Sequence, residues 1–265
     1  MIAICRIRTA VAYRREAWLS GLAAAGYRVV ENGRPSSARD LLVIWNRYGA
    51  YQDEADRWER DGGTVLVTEN GYCGKDEQGR QYYAIAAHGH NGSGWHPVGD
   101  HDRFTRLGIA LRPWRTDGGH ILVCGQRGIG SRTMASPPGW HDRIAAELRK
   151  RTAREVRVRL HPGNSVPPKV SLADDLRGAW ACVIWSSGSG VQALAAGVPV
   201  FYHAPHWIGE VAALGPRDDL ESPLCDDGLR LATFEHLAWA QWSVAELASG
   251  EPFIRFRSEI LRRAA

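Results

Sequence analysis

The sequence predicts an α/β protein made of two Rossmann-like lobes, each with a parallel sheet, that face a cleft. Short apolar strands alternate with helical patterns, and this alternation starts again near the middle of the chain. A turn-rich segment, Pro113–Gly119, separates the two series. We therefore expect a first lobe at residues 1–115 and a second lobe, including two C-terminal helices, at residues 118–265. A chain of 265 residues is long enough for two small domains.

The first half of the chain shows two strand–helix series and then a long irregular stretch. The predicted elements are strand Ile2–Ile7, helix Tyr13–Ala25, strand Tyr27–Val30, strand Leu41–Trp45, helix Gln52–Asp61 and strand Thr64–Val67. The stretch Gly71–Asp100 is polar, rich in Gly and His, and has little periodicity. Long loops in compact domains are usually either functional or disordered, so this stretch is a candidate part of a site.

The second half repeats the pattern and ends in helices. The predicted elements are strand His120–Cys124, helix Trp140–Arg151, strand Glu155–Leu160, helix Ser171–Gly178, strand Ala181–Trp185, helix Val191–Ala196, strand Pro199–Tyr202 and helices Leu231–Leu247 and Phe253–Ala264. In an open parallel sheet, ligands bind at the carboxyl ends of the strands. We therefore expect the site residues of this lobe just after its strands.

The composition excludes several classes of protein. The net charge of +4 is small and lies mostly in the first half, which tolerates a polyanionic partner without requiring one. No apolar run approaches a membrane span, and the opening residues lack the pattern of a signal peptide, so we expect a cytoplasmic protein with no membrane partner. Five scattered cysteines form no CxxC pair, which argues against a disulfide framework or a zinc site.

The strongest local motif is the serine- and glycine-rich loop Ser186–Gly190, which joins a buried strand to a short helix. A helix N-terminus presents free backbone N–H groups, and glycine lets a phosphate approach the backbone closely. Ser186, Ser187 and Ser189 add three hydroxyl groups to this loop. We interpret it as an anion site, and the alternative is a serine that only caps a tightly packed helix.

Two further motifs follow neighbouring strands of the second lobe. His161 begins a His-Pro-Gly turn, where its ring can donate a hydrogen bond to a phosphate. Arg127 and Ser131 lie in the glycine loop Gly125–Ser131, and a guanidinium group suits a diphosphate. This loop lacks the GxGxxG spacing and the lysine of a P-loop, so it is not assigned to either motif.

These three motifs together resemble the donor-binding lobe of GT-B glycosyltransferases, most closely bacterial sialyltransferases and capsule-type sugar transferases. The resemblance covers residues 118–202. It implies that His161, Ser186 and Ser187 contact the phosphate of a nucleotide sugar, with Arg127, Ser131 and Ser189 beside them. Gln192 stands where such enzymes often have a donor-binding Glu. The implied donor is a UDP-sugar in preference to a CMP-sugar, with no tightly bound cofactor and no metal.

The N-terminal lobe would then hold the acceptor and a base. Direct transfer with inversion needs a base near the acceptor hydroxyl, commonly a carboxylate or a histidine. Glu69 and His90 are our candidates for this catalytic role, with His88 and Asp102 as second choices. The candidate acceptor-binding residues near predicted strand ends are Asn46, Arg47, Tyr48, Asn91 and Trp95. The pair His88 and His90 has no third ligand at a suitable spacing, so no metal is expected.

The N-terminal clusters are also similar to those of phage glycosyltransferases, which implies a hydroxymethylated pyrimidine in double-stranded phage DNA as the acceptor. The arginines of the first half, Arg47 among them, would contact DNA phosphates. Modified DNA is preferred here over a surface polysaccharide. The alternatives that remain are a sugar-nucleotide epimerase and a non-catalytic DNA-binding protein on a degenerate transferase fold.

Overall fold

A computed structural model describes residues 1–163, 168–215 and 218–264 and confirms the α/β class. The chain divides into two compact units. The first unit comprises Met1–Leu107 together with Ala238–Ala265, and the second comprises Gly108–Leu237.

Each unit is built on one sheet. The strands are β1 Ile2–Cys5, β2 Arg28–Val30, β3 Leu41–Trp45, β4 Thr64–Asn70, β5 Tyr83–Ala87, β6 His120–Cys124, β7 Glu155–Arg159, β8 Ala179–Ile184, β9 Val200–Tyr202 and β10 Gln241–Trp242. The first sheet has the order β10-β5-β4-β3-β1-β2, and the second has the order β7-β6-β8-β9.

Helices connect and cover the strands. They are α1 Arg15–Ala24, α2 Ala50–Arg60, α3 Asp102–Leu107, α4 Trp140–Leu148, α5 Leu172–Leu176, α6 Gly188–Ala195, α7 Asp227–Ala238, α8 Val244–Ser249 and α9 Glu251–Ala264. Over the described ranges, none of these helices has both the length and the apolar character that a membrane crossing requires.

The first sheet is parallel on one side and antiparallel on the other. Strands β2, β1, β3 and β4 pair in parallel, as expected from the strand–helix alternation. Strand β5 pairs antiparallel with β4 and lies inside Gly71–Asp100, which was predicted to be a loop. Its sequence, YAIAA, is buried at all five positions. A short apolar run of this kind is compatible with a buried strand or a buried helix segment, and β5 lies outside the regular strand–helix alternation that identifies the other strands.

The C-terminal segment belongs to the first unit, whereas the sequence predicts it as part of the second lobe. One continuous helix was expected at Leu231–Leu247, but α7 ends at Ala238 and β10 and α8 follow. Strand β10 pairs antiparallel with β5, and its Trp242 is fully buried. The edge of the first sheet thus acquires its last strand from residues that follow the second unit.

Two buried polar side chains of the first unit hold this returning segment in place. The guanidinium of Arg103 donates to the carbonyl oxygens of Ala238 (2.7 Å) and Gln241 (2.8 Å) and pairs with Glu246. The side-chain amide of Gln241 accepts from the backbone N–H of Tyr72 (2.9 Å). Since an unpaired buried polar group destabilises a fold, these bonds fix where the chain turns.

Close packing of α1 against α8 gives a first prediction. A Cβ atom added at Gly21 would lie 1.7 Å from the carbonyl oxygen of Leu247, so the two helices must separate in a Gly21→Ala variant. Overpacking of this kind costs about 1–3 kcal/mol, and we expect urea denaturation to show at least this loss. Gly119→Ala is the control because an added Cβ there meets nothing within 4 Å. Equal stability of the two variants would contradict the packing described.

The second unit has the parallel sheet that the sequence predicts. Strand β6 pairs with β7 and β8, and β8 pairs with β9, all in parallel. The apolar runs of β6 and β8 are almost completely buried, and Trp140 from α4 and Phe201 from β9 pack in the same core. Because every strand of this sheet runs the same way, the segments that follow β6, β7 and β8 emerge at one edge.

Candidate functional site

The carboxyl edge of the second sheet collects the motifs predicted to bind an anion. Residues after β6, β7 and β8 meet there, and one side-chain bond links two of them directly. The backbone N–H of Ser186 donates to Oε1 of Gln126 at 2.7 Å. Sequence reasoning assigned no role to Gln126, although it stands beside Arg127 in the glycine loop. This bond holds the loop after β6 against the loop after β8.

Hydrogen bonds within the serine loop fix the direction of one hydroxyl group. Ser187 is the N-cap of α6, and its Oγ accepts from the backbone N–H of Ser189 (3.2 Å) and from Oγ of Ser189 (2.8 Å). A serine hydroxyl has two acceptor lone pairs and one hydrogen, so both acceptor positions of Ser187 are used. The hydroxyl hydrogen of Ser187 is left to donate, which suits the binding of an anion at the start of the helix.

The ring of His161 is oriented for donation by the turn that follows it. Its Nδ1 accepts from the backbone N–H of Gly163 at 2.9 Å, so the proton of the neutral imidazole is on Nε2. Burial, and then the nearby charge of Arg127, lower the pKa of His161. A Cβ atom on Gly163 would lie 2.8 Å from a guanidinium nitrogen of Arg127, so glycine there lets Arg127 and His161 come together. Both can donate to one anionic group.

The other predicted residues of the second unit, Ser131 and Gln192, take no part in the hydrogen bonds described above. Oγ of Ser131 is 3.3 Å from the hydroxyl of Thr133, and Ser131 is half-buried. Gln192 is on the exposed side of α6. The buried thiols of Cys124 and Cys182 are 3.8 Å apart within the sheet, as expected for residues that pack in a core. Arg127, His161, Ser186, Ser187 and Ser189 thus form the denser part of the candidate site.

A second cluster, in the first unit, contains both predicted catalytic residues. Glu69 is near the end of β4, and its Oε2 is 3.9 Å from Nε2 of His90. Its Oε1 accepts from the hydroxyl of Tyr72 at 3.0 Å. Burial raises the pKa of Glu69, and the neighbouring His90 and Tyr72 oppose that shift. A desolvated carboxylate with a raised pKa suits the role of a base.

The loop between His88 and Trp95 folds back and brings His90 to Glu69. The backbone groups of Ala87 and Trp95 bond to each other in both directions, at 2.7 and 3.3 Å. The turn requires glycine, because a Cβ atom on Gly94 would lie 2.1 Å from the carbonyl oxygen of Ala87. The backbone N–H of Asn91 donates to the Tyr72 hydroxyl at 3.2 Å and so joins this loop to Glu69 through Tyr72.

Two residues predicted to contact the acceptor, Arg47 and Trp95, have partners within the first unit. Arg47 is buried, and its guanidinium pairs with Asp56 (2.7 Å) and Glu59 (2.6 Å). One face of Trp95 is covered by the guanidinium of Arg263, 4.3 Å from the ring centre, and the ring packs near Phe256. These contacts engage Arg47 and Trp95 within the unit.

Three other predicted positions, Asn46, Tyr48 and Asn91, lie in loops of the first unit. Asn46 follows β3 with φ of 58°, and Asn91 has φ of 55°. Non-glycine residues in this left-handed region are uncommon and cluster at functional sites. Tyr48 is 39% exposed beside Asn46. Within the described ranges, no group of three His, Cys, Asp or Glu side chains is placed to hold a metal ion.

No model of a known protein family matches the sequence, and no curated protein matches it. By structure, the fold of this chain is similar to that of two solved structures. It is similar to KpsC β-Kdo 2,7 transferase from Thermosulfurimonas dismutans, with a TM-score of 0.56 and 14% identity, over 98% of this chain and 99% of that chain. It is also similar to KpsC β-Kdo 2,4 transferase from the same organism, with a TM-score of 0.54 and 14% identity, over 89% and 90% of the chains.

Proposed function

We propose that this protein is a glycosyltransferase that transfers a sugar from a nucleotide sugar to a hydroxyl group of a saccharide. The observation that carries the proposal is the set of donors at the carboxyl edge of the second sheet. The hydroxyl of Ser187, the ring of His161 and the guanidinium of Arg127 all present N–H or O–H groups there. Similarity to two Kdo transferases over nearly the whole chain supports the same class of reaction.

In this proposal the second unit stabilises the leaving nucleotide. The bond between the sugar and the phosphate oxygen breaks, and the phosphate gains negative charge as it leaves. Arg127 compensates that charge, and Ser187 and the Nε2–H of His161 donate to the phosphate oxygens. Fixed donors aimed at a developing charge are among the largest contributions to catalysis. No tightly bound cofactor or divalent cation takes part in the proposed reaction.

The first unit supplies the base. Glu69 accepts the proton of the acceptor hydroxyl as its oxygen forms a bond to the sugar, with His90 beside it. A saccharide acceptor is favoured over modified DNA because Arg47, a proposed DNA contact, is engaged by Asp56 and Glu59. The similarity to Kdo transferases supports the same choice.

Thermal denaturation with nucleotides tests the donor assignment. We expect one family among UDP, GDP, CMP, dTDP and their sugar conjugates to raise the melting temperature, with UDP tried first and CMP second. His161→Ala should lose this stabilisation, since it removes a donor to the phosphate. His236→Ala is the control: it removes an exposed histidine of α7 in the same unit. A cooperatively melting wild-type protein that responds to no nucleotide contradicts the proposal.

The acceptor is tested after the donor is known. Transfer of radiolabelled sugar to a panel of oligosaccharides supports the proposed function. Transfer to double-stranded DNA containing hydroxymethyl-pyrimidines would establish the other acceptor class. Conversion of the donor without an acceptor indicates an epimerase, and salt-sensitive DNA binding with no response to nucleotide sugars indicates a DNA-binding protein.

A further inference from the structure

The gap between Glu69 and His90 has the dimensions of a site for one hydroxyl oxygen. The 3.9 Å between Oε2 and Nε2 is too long for a direct hydrogen bond. An oxygen that makes bonds of about 2.8 Å to both atoms would span this distance at an angle of about 90°. The two side chains keep 22% and 11% of their surface exposed, so neither is completely covered by the rest of the unit.

Tyr72 determines which carboxylate oxygen faces that gap. The Tyr72 oxygen accepts from the backbone N–H of Asn91 at 3.2 Å and donates its hydrogen to Oε1 of Glu69 at 3.0 Å. A backbone N–H can only donate, so the Tyr72 oxygen must be the acceptor in its bond with Asn91. The hydrogen of the Tyr72 hydroxyl is therefore available to the carboxylate. Glu69 is therefore held through Oε1, and Oε2 is directed to His90.

We propose that the acceptor hydroxyl binds between Oε2 of Glu69 and Nε2 of His90, and that Tyr72 is a positioning residue that keeps Glu69 ionised and oriented. This inference rests on the proposed function and narrows it to one geometry. The hydroxyl donates to Oε2 and accepts from Nε2–H. Its proton passes to Glu69 while its oxygen bonds to the sugar and the nucleotide leaves. The hydrogen bond from His90 stabilises the charge on the attacking oxygen.

The titration of Glu69 supplies a test, because a base must be ionised. Burial raises the pKa of Glu69, while His90 and the Tyr72 hydrogen bond lower it. The reaction rate must fall as pH falls through that pKa. Removing the Tyr72 hydroxyl takes away a bond that favours the ionised carboxylate, so the pKa rises. The acidic limb of the pH–rate profile of Tyr72→Phe should therefore move to higher pH.

Water can occupy the position of the acceptor hydroxyl, so hydrolysis of the nucleotide sugar that stabilises the protein is the assay. At the acidic end of the profile we expect Tyr72→Phe to be about tenfold slower than the wild type, with less than about a threefold change at the alkaline plateau. Tyr27→Phe is the matched control, because the buried Tyr27 hydroxyl has no hydrogen-bond partner among the described residues. An unmoved limb in Tyr72→Phe overturns the role of Tyr72.

Two further variants separate a positioning role from a loss of structure. If Tyr72 acts through Glu69, adding Tyr72→Phe to Glu69→Gln should slow hydrolysis no further. His90→Ala should slow hydrolysis across the pH range while the donor still stabilises the protein. An unchanged rate in His90→Ala overturns the bridging site even if Tyr72→Phe fails to fold. A wild-type protein that binds and hydrolyses no nucleotide sugar contradicts the proposed function itself.

Discussion

Replacing Glu69 by glutamine is expected to lower the rate of sugar transfer by about 10²–10⁴-fold, the usual contribution of a general base. The amide has nearly the same shape as the carboxylate and can still accept from Tyr72, but it cannot take a proton. Donor binding depends on the second unit, so the stabilisation by nucleotide should be unchanged. Steady-state transfer rates and thermal denaturation with the donor measure the two effects separately.

The control for this variant is Glu77→Gln, which makes the same chemical change at an exposed residue of the same unit. It should transfer sugar at the wild-type rate. A Glu69→Gln enzyme with wild-type activity would remove Glu69 from the reaction. Loss of nucleotide binding in the same variant would mean that the substitution had disturbed more than the base.

Ser187→Ala should weaken binding of the nucleotide by about 10- to 100-fold. A hydrogen bond to a charged group is worth about 1.5–3 kcal/mol, and both acceptor positions of Ser187 are occupied, so its hydrogen is the part available to the phosphate. Isothermal titration with the nucleotide found to stabilise the protein measures this loss. Ser189→Ala should have a smaller effect of the same kind, because Ser189 orients Ser187.

A second serine cap distinguishes binding from helix stability. Ser171 is the N-cap of α5, and its side chain accepts from the backbone N–H of Asp174. Ser171→Ala and Ser187→Ala should each reduce the free energy of unfolding by about 1 kcal/mol, the usual cost of losing a cap. Only Ser187→Ala should weaken nucleotide binding. Equal affinities in the two variants would reduce Ser187 to a structural cap.

The fold of the second unit was predictable from the sequence, whereas two of the six strands of the first sheet, β5 and β10, were not. Strands β6 and β8 are apolar runs that end at turns. Each pairs in parallel with strands that belong to the same strand–helix alternation along the chain. Strands β5 and β10 lie outside this strand–helix alternation and pair antiparallel. Strand β10 has two residues between helices, and it exists because Gln241 and Trp242 find partners 157 to 159 positions earlier in the chain, at Ala84 and Tyr83.

The candidate sites divide in the same way. Ser187 and His161 could be proposed from the sequence because each lies in a local motif, and the groups that orient them, Ser189 and Gly163, are two residues away. Glu69 and His90 were chosen as separate candidates for the base, and the sequence did not reveal that they meet. The loop between His88 and Trp95 folds back and brings His90 to Glu69. The same loop places Tyr72 between Glu69 and Asn91.

Because residues 238–264 belong to the first unit, the two units can complete their folding at different times during translation. The second unit, Gly108–Leu237, is one uninterrupted stretch that emerges whole and can fold while synthesis continues. The first unit begins to emerge earlier. However, strand β5 lacks its β10 neighbour, and Gly21 lacks its packing partner in α8, until the whole second unit and then β10 and α8 have been translated. The first unit therefore emerges first and completes its folding last. Until β10 has been translated, the edge of β5 is unpaired and open to pairing with other chains.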